Sequence, residues 1–271
     1  MPELPEVEIV VRNLQKILSP PFFIKDWVFF RKNLRFVIPK NKLRQLMYQK
    51  ILSVSRRAKY LLFETDTKFI ILHLGMTGSW RLEKSNWSKR THDHVAFEFG
   101  SNQFLVYEDA RRFGFIEVCA KNKIEKRFQH VGVEPLAESF NQAFISRSFK
   151  KLNSPIKNAL MNQKFVVGIG NIYASEILFR AQVSPLKNCS RITLKQYAKI
   201  WECTKTILQN AIEQGGSTVD NYKNSFGESG NFQNLLRVYG REGEFCFVCG
   251  TEIKSKFLAG RNTFWCPACQ K

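Results

Sequence analysis

The sequence has no apolar run long enough to span a bilayer, since the longest, such as "FIILHLG", is strand-sized. It also lacks the basic stretch and apolar core of a secretory signal. Acidic residues are scarce: 23 Asp and Glu stand against 42 Lys and Arg, which gives a formal net charge of +19. These features favour a soluble intracellular protein with a polyanionic partner, most often nucleic acid, over a merely solvated basic surface.

Hydrophobic periodicity divides the chain into three parts. Residues 5–18 carry apolar side chains at helical spacing, and from about 22 to 118 the period shifts towards two in runs such as "KYLLFE" and "QFLVYE". Helical spacing returns at 141–151, 154–162, 170–180 and 193–214. The patterns predict an α+β multidomain protein with an N-terminal β-sandwich and leading helix (1–131), a helical domain (132–235) and a C-terminal zinc-ribbon β-hairpin (236–271).

Four of the seven cysteines form two C-x-x-C pairs, Cys246 with Cys249 and Cys266 with Cys269, separated by sixteen residues. Each pair presents two thiolates to one tetrahedral ion, and the stretch between the pairs suits a β-hairpin. The spacing therefore predicts one structural zinc ion, because disulfides do not suit a reducing compartment and no other motif supports an iron–sulfur role. The other three cysteines are expected to be buried small hydrophobes: Cys119, Cys189 and Cys203.

Two segments offer sites for phosphate. The stretch "AGRNT" predicts Arg261 at the tip of the hairpin between the cysteine pairs, free to reach a phosphate. The stretch "VVGIGNIYASE" places two glycines and Asn171 just before a helix, where free N–H groups bind anions. An ordinary Asn N-cap is the plainer interpretation and is compatible with that role. Lys157 lies upstream and could share the same phosphate.

The basic chain begins with an acidic, proline-bracketed stretch, "MPELPEVE". A small second residue favours removal of Met1, which would leave Pro2 as a secondary amine with a pKa of roughly 7.7–8.0. A neutral amine can attack a sugar C1′ and form an iminium ion while Glu3 or Glu6 moves protons. A first-turn proline and glutamates near a helix start are also ordinary helix features, and on the residues alone this alternative is the simpler one.

Several distinctive segments occur together and in order: "PELPEVE", "RRAKYLLF", "HLGMTGS", "KRTHDHV", "DARRFGF", "GIGNIYASE" and the four-cysteine module. In this combination the chain resembles the formamidopyrimidine-DNA glycosylase family, the bacterial 8-oxoguanine DNA glycosylase/lyases, from residue 2 to residue 271. Leu4 favours this branch over the related endonuclease VIII branch, which typically has glycine there. The resemblance implies a helix-two-turns-helix domain and a base-excision-repair enzyme that removes oxidised purines from duplex DNA through a proline Schiff base, followed by β,δ-elimination.

The resemblance also implies a role for each matched position. Pro2 would be the nucleophile, Glu3 its acid/base partner and Glu6 a supporting residue, while Lys59 and Arg261 would complete the catalytic set through phosphate contacts. An extruded base leaves a gap in the duplex, which apolar and arginine side chains can fill. The DNA contacts implied are His73, Met76, His92, Arg111, Phe113, Lys157 and Asn171. Residues 217–230 would close over the extruded base.

The expected partner is damaged double-stranded DNA, bound by a monomer in the bacterial cytosol or nucleoid with no membrane involved. Two alternatives stay open: an endonuclease VIII-like enzyme for oxidised pyrimidines, and a non-catalytic zinc-ribbon nucleic-acid-binding protein. The sequence departs from the family pattern at Ala110 and Asn158, where proline is common. We therefore expect a less rigid loop around Arg111.

Overall fold

The structure is a computed structural model that describes residues 2–217 and 230–271. Within this part of the chain, no helix combines the length and apolar character needed to cross a membrane. The described residues form two compact units. The first contains residues 2–129, 215–217 and 230–231, and the second contains residues 130–214 and 232–271.

The first unit begins with helix α1 (Leu4–Leu18), which has proline in its first turn and buries one apolar face. Its side chains join the same hydrophobic core as those of the strands that follow. Two short helices complete the unit, α2 (Lys40–Arg44) and α3 (Ile124–Phe128). The strands are β1 (Phe22–Phe29), β2 (Lys50–Ile51), β3 (Ser53–Arg57), β4 (Tyr60–Glu64), β5 (Lys68–His73), β6 (Gly78–Lys84), β7 (Asp93–Phe99), β8 (Gln103–Asp109) and β9 (Phe115–Ala120).

These strands form two antiparallel sheets, in the orders β2-β1-β7-β8-β6 and β3-β4-β5-β9. Side chains that alternate along the strands meet in one core, as expected for a sandwich of two sheets. At its centre, the ring of Phe97 lies 5.2 Å from that of Trp27 and 5.8 Å from that of Trp80. The predicted N-terminal β-sandwich with a leading helix is confirmed.

The second unit is helical and ends in a β-hairpin, as predicted. Its longest helix begins after Thr193, whose hydroxyl accepts the N–H of Gln196 at 3.2 Å, and ends before Gly215, which has a φ of 77°. A cap and a left-handed glycine are strong boundary signals, so the sequence located this helix closely. The elements are α4 (Gln142–Phe149), α5 (Ile156–Met161), α6 (Asn171–Arg180), α7 (Leu194–Glu213), β10 (Lys254–Leu258) and β11 (Arg261–Trp265).

A buried carboxylate on α6 holds the segment that leads into the cysteine module. Glu176 is 4% exposed, and its oxygens accept the N–H groups of Arg237, Val238 and Tyr239 at 2.9, 3.0 and 2.9 Å. Burial raises the pKa of Glu176, while these three bonds oppose the rise. The carboxylate thus accepts three consecutive backbone donors.

We predict that Glu176→Gln lowers the free energy of unfolding by about 1–3 kcal/mol, because an amide NH₂ then faces backbone donors. Urea denaturation followed by circular dichroism measures the change. Glu202→Gln is the matched control, since Glu202 is exposed on α7 and should cost little. Equal effects of the two substitutions would contradict a bracing role for Glu176.

Candidate active site and zinc module

The predicted nucleophile, Pro2, lies buried beside two buried carboxylates at the start of α1. Glu6 Oε2 accepts the N–H of Glu3 at 2.8 Å, and Glu6 Oε1 accepts the N–H of Ser217 at 2.8 Å. A Cβ added to Gly216 would lie 3.3 Å from the same Oε1, so the backbone approaches this carboxylate closely. Glu6 is therefore placed to fix the backbone that carries Pro2, as expected for a supporting residue.

Lys59 lies in the turn between β3 and β4 and is 6% exposed. The turn is held by Arg56, whose Nη1 donates to the carbonyl of Ala58 at 2.8 Å, and Ala58 has a left-handed φ of 55°. The same Arg56 pairs with Glu8 of α1 at 3.0 Å. One arginine thus ties the Lys59 turn to the helix that carries Glu6.

His73, at the end of β5, is held as a neutral ring. Its Nδ1 accepts the N–H of Gly75 at 2.9 Å, and its ring stacks on Phe115 with centroids 5.4 Å apart. Burial, together with the positive charges of Lys59 and Arg35, lowers the pKa of His73 to about 4. Near neutral pH the ring's proton is therefore on Nε2, which can donate to a phosphate without carrying a charge.

The residues predicted to enter the duplex stand on two neighbouring loops. A Cβ added to Gly75 would lie 2.4 Å from the N of Gly114, so the backbones of the two loops are in contact. Phe113 is 44% exposed, and the guanidinium of Arg111 lies 4.9 Å from the centre of its ring. Met76, on the first loop, is half-buried. The structure thus brings these three predicted side chains to one edge of the first unit.

His92 is exposed at the end of a loop whose neighbours serve the fold. Asp93 is 1% exposed and accepts bonds from Arg81 Nη2 at 3.0 Å and from the N–H of Arg90 at 2.8 Å. His94 Nε2 bonds the carbonyl of Asp109 at 2.7 Å, and burial lowers the pKa of His94. Asp93 and His94 therefore hold the loop in place and leave His92 available to a ligand.

Among the predicted DNA-contacting residues, Lys157 is the one whose surroundings differ most from the expected phosphate contact. It is 1% exposed, and its Nζ donates to Asn171 Oδ1 at 2.6 Å, Thr263 Oγ1 at 2.8 Å and the carbonyl of Asn262 at 3.2 Å. Asn171 Nδ2 donates to the same carbonyl at 3.0 Å. The ammonium thus bonds three protein oxygens, and a direct phosphate contact stays a prediction.

Asn171 takes part in this network, and Arg261 precedes Asn262, one of its members, in the chain. Asn171 is the first residue of α6, and the N-cap is Gly170, so the interpretation of Asn171 as an N-cap was wrong. Its side chain bonds Lys157 and the hairpin, which takes it away from the helix's own N–H groups. Arg261 is exposed next to the turn at Gly260, which has a φ of 79°. The Lys157 and Asn171 bonds to Asn262 hold the residue that follows Arg261.

The four cysteines of the tail fit a single zinc ion. Their Sγ atoms all lie within 4.8 Å of one another, with Cys246 to Cys269 at 3.9 Å and Cys249 to Cys266 at 3.5 Å. Tetrahedral zinc with bonds of about 2.3 Å places its sulfurs about 3.8 Å apart. Hydrogen bonds from Thr251 lower the pKa of Cys249 to about 6, whereas burial raises the pKa values of Cys266 and Cys269, so zinc binding must itself displace protons from these two thiols. The predicted four-cysteine structural zinc site is supported by this geometry.

Gln270 joins this module to the helical part of its unit. Its Oε1 accepts the N–H of Cys266 at 2.9 Å, and its Nε2 donates to the carbonyl of Val183 at 2.9 Å. The second cysteine pair is therefore connected to the chain just beyond α6. Loss of the ion would disturb this connection as well as the hairpin.

Sequence reasoning missed several residues that organise the site: Thr77, Asp109, Glu176 and Ser217. Thr77 follows Met76 in "HLGMTGS", and Asp109 opens "DARRFGF", but only their contacts reveal what they do. Of the predicted closing loop at 217–230, only Ser217 and Gly230 belong to the described residues. A Cβ added to Gly230 would lie 2.2 Å from the carbonyl oxygen of Gly216, so these two ends touch.

We predict that His73 makes stability depend on pH between about 4 and 6.5. In that window the unfolded chain binds a proton at position 73 and the folded chain does not, so stability rises with pH. Urea denaturation at a series of pH values should show a shallower slope for His73→Gln. The control is His92→Gln, because His92 is exposed. An unchanged slope in His73→Gln would mean that His73 is protonated equally in both states.

We also predict that the purified protein binds one zinc per chain and that Cys266→Ala abolishes this binding. Chelation should unfold the tail and weaken DNA binding, because metal binding and folding are coupled in such modules. Elemental analysis gives the stoichiometry, and DNA affinity before and after chelation gives the consequence. Cys203→Ala should keep its zinc, because Cys203 lies on α7. Full DNA affinity after verified zinc removal would contradict the prediction.

Family models match most of the chain. The formamidopyrimidine-DNA glycosylase N-terminal domain matches residues 1–116, and the H2TH domain of the same enzymes matches residues 131–223. A zinc finger found in FPG and IleRS matches residues 243–271.

Relatives that match the chain over its full length support the same family. The chain is 42% identical over 271 residues to the formamidopyrimidine-DNA glycosylase of Bdellovibrio bacteriovorus, and 40% identical over 273 residues to that of Listeria innocua, with 100% of each chain covered. It is also similar to a Lactococcus lactis FPG mutant in complex with a Fapy-dG containing DNA, with a TM-score of 0.93, 35% identity and 100% coverage of both chains. A complex of the Lactococcus lactis enzyme with an abasic site containing DNA gives a TM-score of 0.92 at 34% identity, covering 99% of both chains. The chain belongs to the formamidopyrimidine-DNA glycosylase family.

Proposed function

We propose that this protein removes oxidised purines, 8-oxoguanine and formamidopyrimidines, from duplex DNA and then cleaves the strand at the resulting abasic site. The observation that carries the proposal is the buried arrangement of Pro2, Glu3 and Glu6. Each carboxylate oxygen of Glu6 accepts a backbone N–H, and Glu3 is the acidic residue next to the proposed nucleophile in the chain. A protein that only bound nucleic acid would have no use for this arrangement.

The first step is displacement of the base. Once Met1 is removed, the Pro2 nitrogen attacks the sugar C1′, the bond from C1′ to the base breaks, and its electron pair leaves with the base, which gains a proton. The Pro2 nitrogen loses its proton, Glu3 protonates the ring oxygen O4′, and the bond from C1′ to O4′ opens. The product is an iminium ion between Pro2 and the opened sugar.

The second step is strand cleavage. The iminium makes the C2′ protons acidic, so removal of one breaks the bond from C3′ to its phosphate oxygen. Loss of a further proton from C4′ expels the 5′ phosphate, and water then releases Pro2 by hydrolysis. Glu3, regenerated as a carboxylate by the first step, is the nearest base in sequence for these transfers.

Phosphate contacts would hold the DNA while this chemistry proceeds. Lys59 and Arg261 supply positive charge, and neutral His73 supplies an N–H donor. His92 and Asn171 add contacts from exposed and half-buried positions. The buried ammonium of Lys157 acts through Asn171 and the hairpin, whose positions it helps to define.

Met76, Arg111 and Phe113 would fill the gap that the extruded base leaves. Unstacking a base costs a few kcal/mol, and an inserted apolar side chain offsets part of that cost. Arg111 can hydrogen-bond the unpaired partner base, and Phe113 can stack on a neighbouring pair. The exposure of Phe113 and its contact with Arg111 suit this role.

The remaining assignments follow from this activity. Zinc stabilises the fold of the tail and takes no part in the iminium chemistry. The functional division is an N-terminal catalytic domain (1–131), a helical DNA-binding domain (132–235) and a zinc finger (236–271). A monomer is expected, because one lesion in a duplex needs only one active site. Because the proposed substrate is chromosomal DNA, the expected location is the bacterial cytosol or nucleoid.

A second substrate class merits a direct test. A complex of the wild-type Lactococcus lactis enzyme with an oxidised pyrimidine containing DNA gives a TM-score of 0.92 at 35% identity and covers 100% of both chains. An endonuclease VIII-like preference for oxidised pyrimidines is therefore the alternative to a purine preference. Competition between the two lesions in otherwise identical duplexes decides between them.

The proposal predicts a covalent adduct under borohydride. Duplex DNA with one 8-oxoguanine opposite cytosine should trap the protein, and mass analysis should locate the reduced bond at Pro2 with Met1 absent. Pro2→Glu should give no adduct at that site, because a large second residue keeps Met1 in place. Glu3→Gln should lose base excision but still trap on a preformed abasic site, since its amine is intact.

Lys16→Gln is the matched control, because Lys16 is an exposed residue of α1. It should trap like the unaltered protein. Absence of an adduct from protein that lacks Met1 and holds zinc, on purine, pyrimidine and abasic duplexes alike, would refute the enzyme and leave the nucleic-acid-binding alternative.

A further inference from the structure

The carboxylate of Asp109, at the end of β8, joins the two loops that carry Met76, Arg111 and Phe113. The residue is fully buried at 0% exposure. Its Oδ1 accepts the hydroxyl of Thr77 at 2.5 Å, and its Oδ2 accepts the N–H of Gly114 at 2.8 Å. One side chain therefore bonds the residue after Met76 and the residue after Phe113.

Thr77 completes the connection in the other direction. Its Oγ1 accepts the N–H of Arg111 at 3.0 Å while its own proton goes to Asp109. Because a hydroxyl has one donor, that direction is fixed by the acceptor-only carboxylate. The backbone at Arg111 is thus held by a side chain from the loop of Met76.

The surroundings leave these bonds little freedom. Tyr107 donates its hydroxyl to Asp109 Oδ2 at 3.3 Å, and burial raises the pKa of Tyr107 well above its usual value. A Cβ on Gly114 would lie 1.8 Å from that hydroxyl. His94 Nε2 bonds the backbone carbonyl of Asp109 at 2.7 Å. Close packing therefore holds these groups in place in addition to their hydrogen bonds.

We propose that Thr77 and Asp109 are positioning residues that lock the Met76 loop and the Arg111–Phe113 loop into one preformed wedge for duplex insertion. This proposal rests on the proposed function. Neither residue touches the reacting sugar: Asp109 is fully buried, and Thr77 directs its hydroxyl to Asp109. Their effect is to present Met76, Arg111 and Phe113 with a fixed spacing before DNA arrives.

The test compares two substrates in single-turnover kinetics. In duplex DNA with 8-oxoguanine opposite cytosine, the base must be extruded, so Thr77→Val should slow excision about tenfold, as for one lost hydrogen bond. At a preformed abasic site no base must leave the stack, and cleavage should slow by less than about threefold. Thr77→Ser, which keeps the hydroxyl, should restore excision.

Ser79→Ala is the matched control. The hydroxyl of Ser79 on β6 also donates to a carboxylate, that of Glu108 on β8 at 2.9 Å, but this bond joins two strands rather than the two loops. It should leave both rates unchanged. The proposal would be overturned if Thr77→Val slowed excision and abasic-site cleavage equally, or slowed neither. It would also be overturned if Thr77→Ser failed to restore the excision rate.

Wedge insertion can also be measured without chemistry. A 2-aminopurine beside a tetrahydrofuran abasic analogue brightens when the neighbouring stack opens. The unaltered protein should brighten it, and Thr77→Val should do so more slowly. If the protein cleaves none of the substrates but still brightens 2-aminopurine, the proposed function is wrong and the proposal of a preformed wedge is retained. If the unaltered protein does not insert, the wedge proposal fails.

Discussion

The proposed nucleophile, Pro2, would be the first residue of the chain once Met1 is removed, and the chain would then hold it from one side only. Glu6 holds the residue that follows it. Its carboxylate accepts the N–H of Glu3 on one side and that of Ser217 on the other, more than two hundred residues away in sequence. The bonds join the start of α1 to the edge of the segment proposed to cover the extruded base.

Three buried carboxylates in this basic chain accept bonds from neutral donors, whereas a fourth, Asp93, pairs with Arg81. Glu6 accepts two N–H groups, Glu176 accepts three, and Asp109 accepts one along with two hydroxyls. Amide donors carry no net charge, so these bonds leave the excess of 42 Lys and Arg over 23 Asp and Glu available for a polyanion. The acidic start of the chain is therefore compatible with a basic surface that binds a polyanion.

Local signals account for what the sequence predicted well. The capped helix α7, the leading helix and the cysteine pairs are specified by residues close together in the chain. The alternating pattern is obscured in β6, because "GSWRLEK" carries Arg81 and Glu83, which ion-pair along the strand, and Arg81 also pairs with Asp93 of β7. Charge in a strand obscures the alternating pattern that marks it.

The hydrogen bonds of Lys157 and Thr77 could not be predicted from the sequence, because their partners are far away in the chain. Lys157 meets Thr263 across 106 positions, and Thr77 meets Asp109 across 32. Such pairings depend on the three-dimensional register of distant elements, which no local pattern encodes. The sequence motifs predicted the candidate site residues, while the residues that contact and hold them became visible only in the fold.

Our proposal bears on Ala110, where the family resemblance leads us to expect proline and hence a less rigid loop. Ordering a backbone residue costs about 1–2 kcal/mol, so a wedge that became ordered only on insertion, over residues 110–113, would lose about 4–8 kcal/mol of binding free energy. That is at least as large as the cost of unstacking a base. On our proposal, the bond from Arg111 to Thr77 and the close backbone approach at Gly75 would order the loop before DNA arrives. Contacts from the neighbouring loop would then take the place of the restriction that proline would impose at position 110.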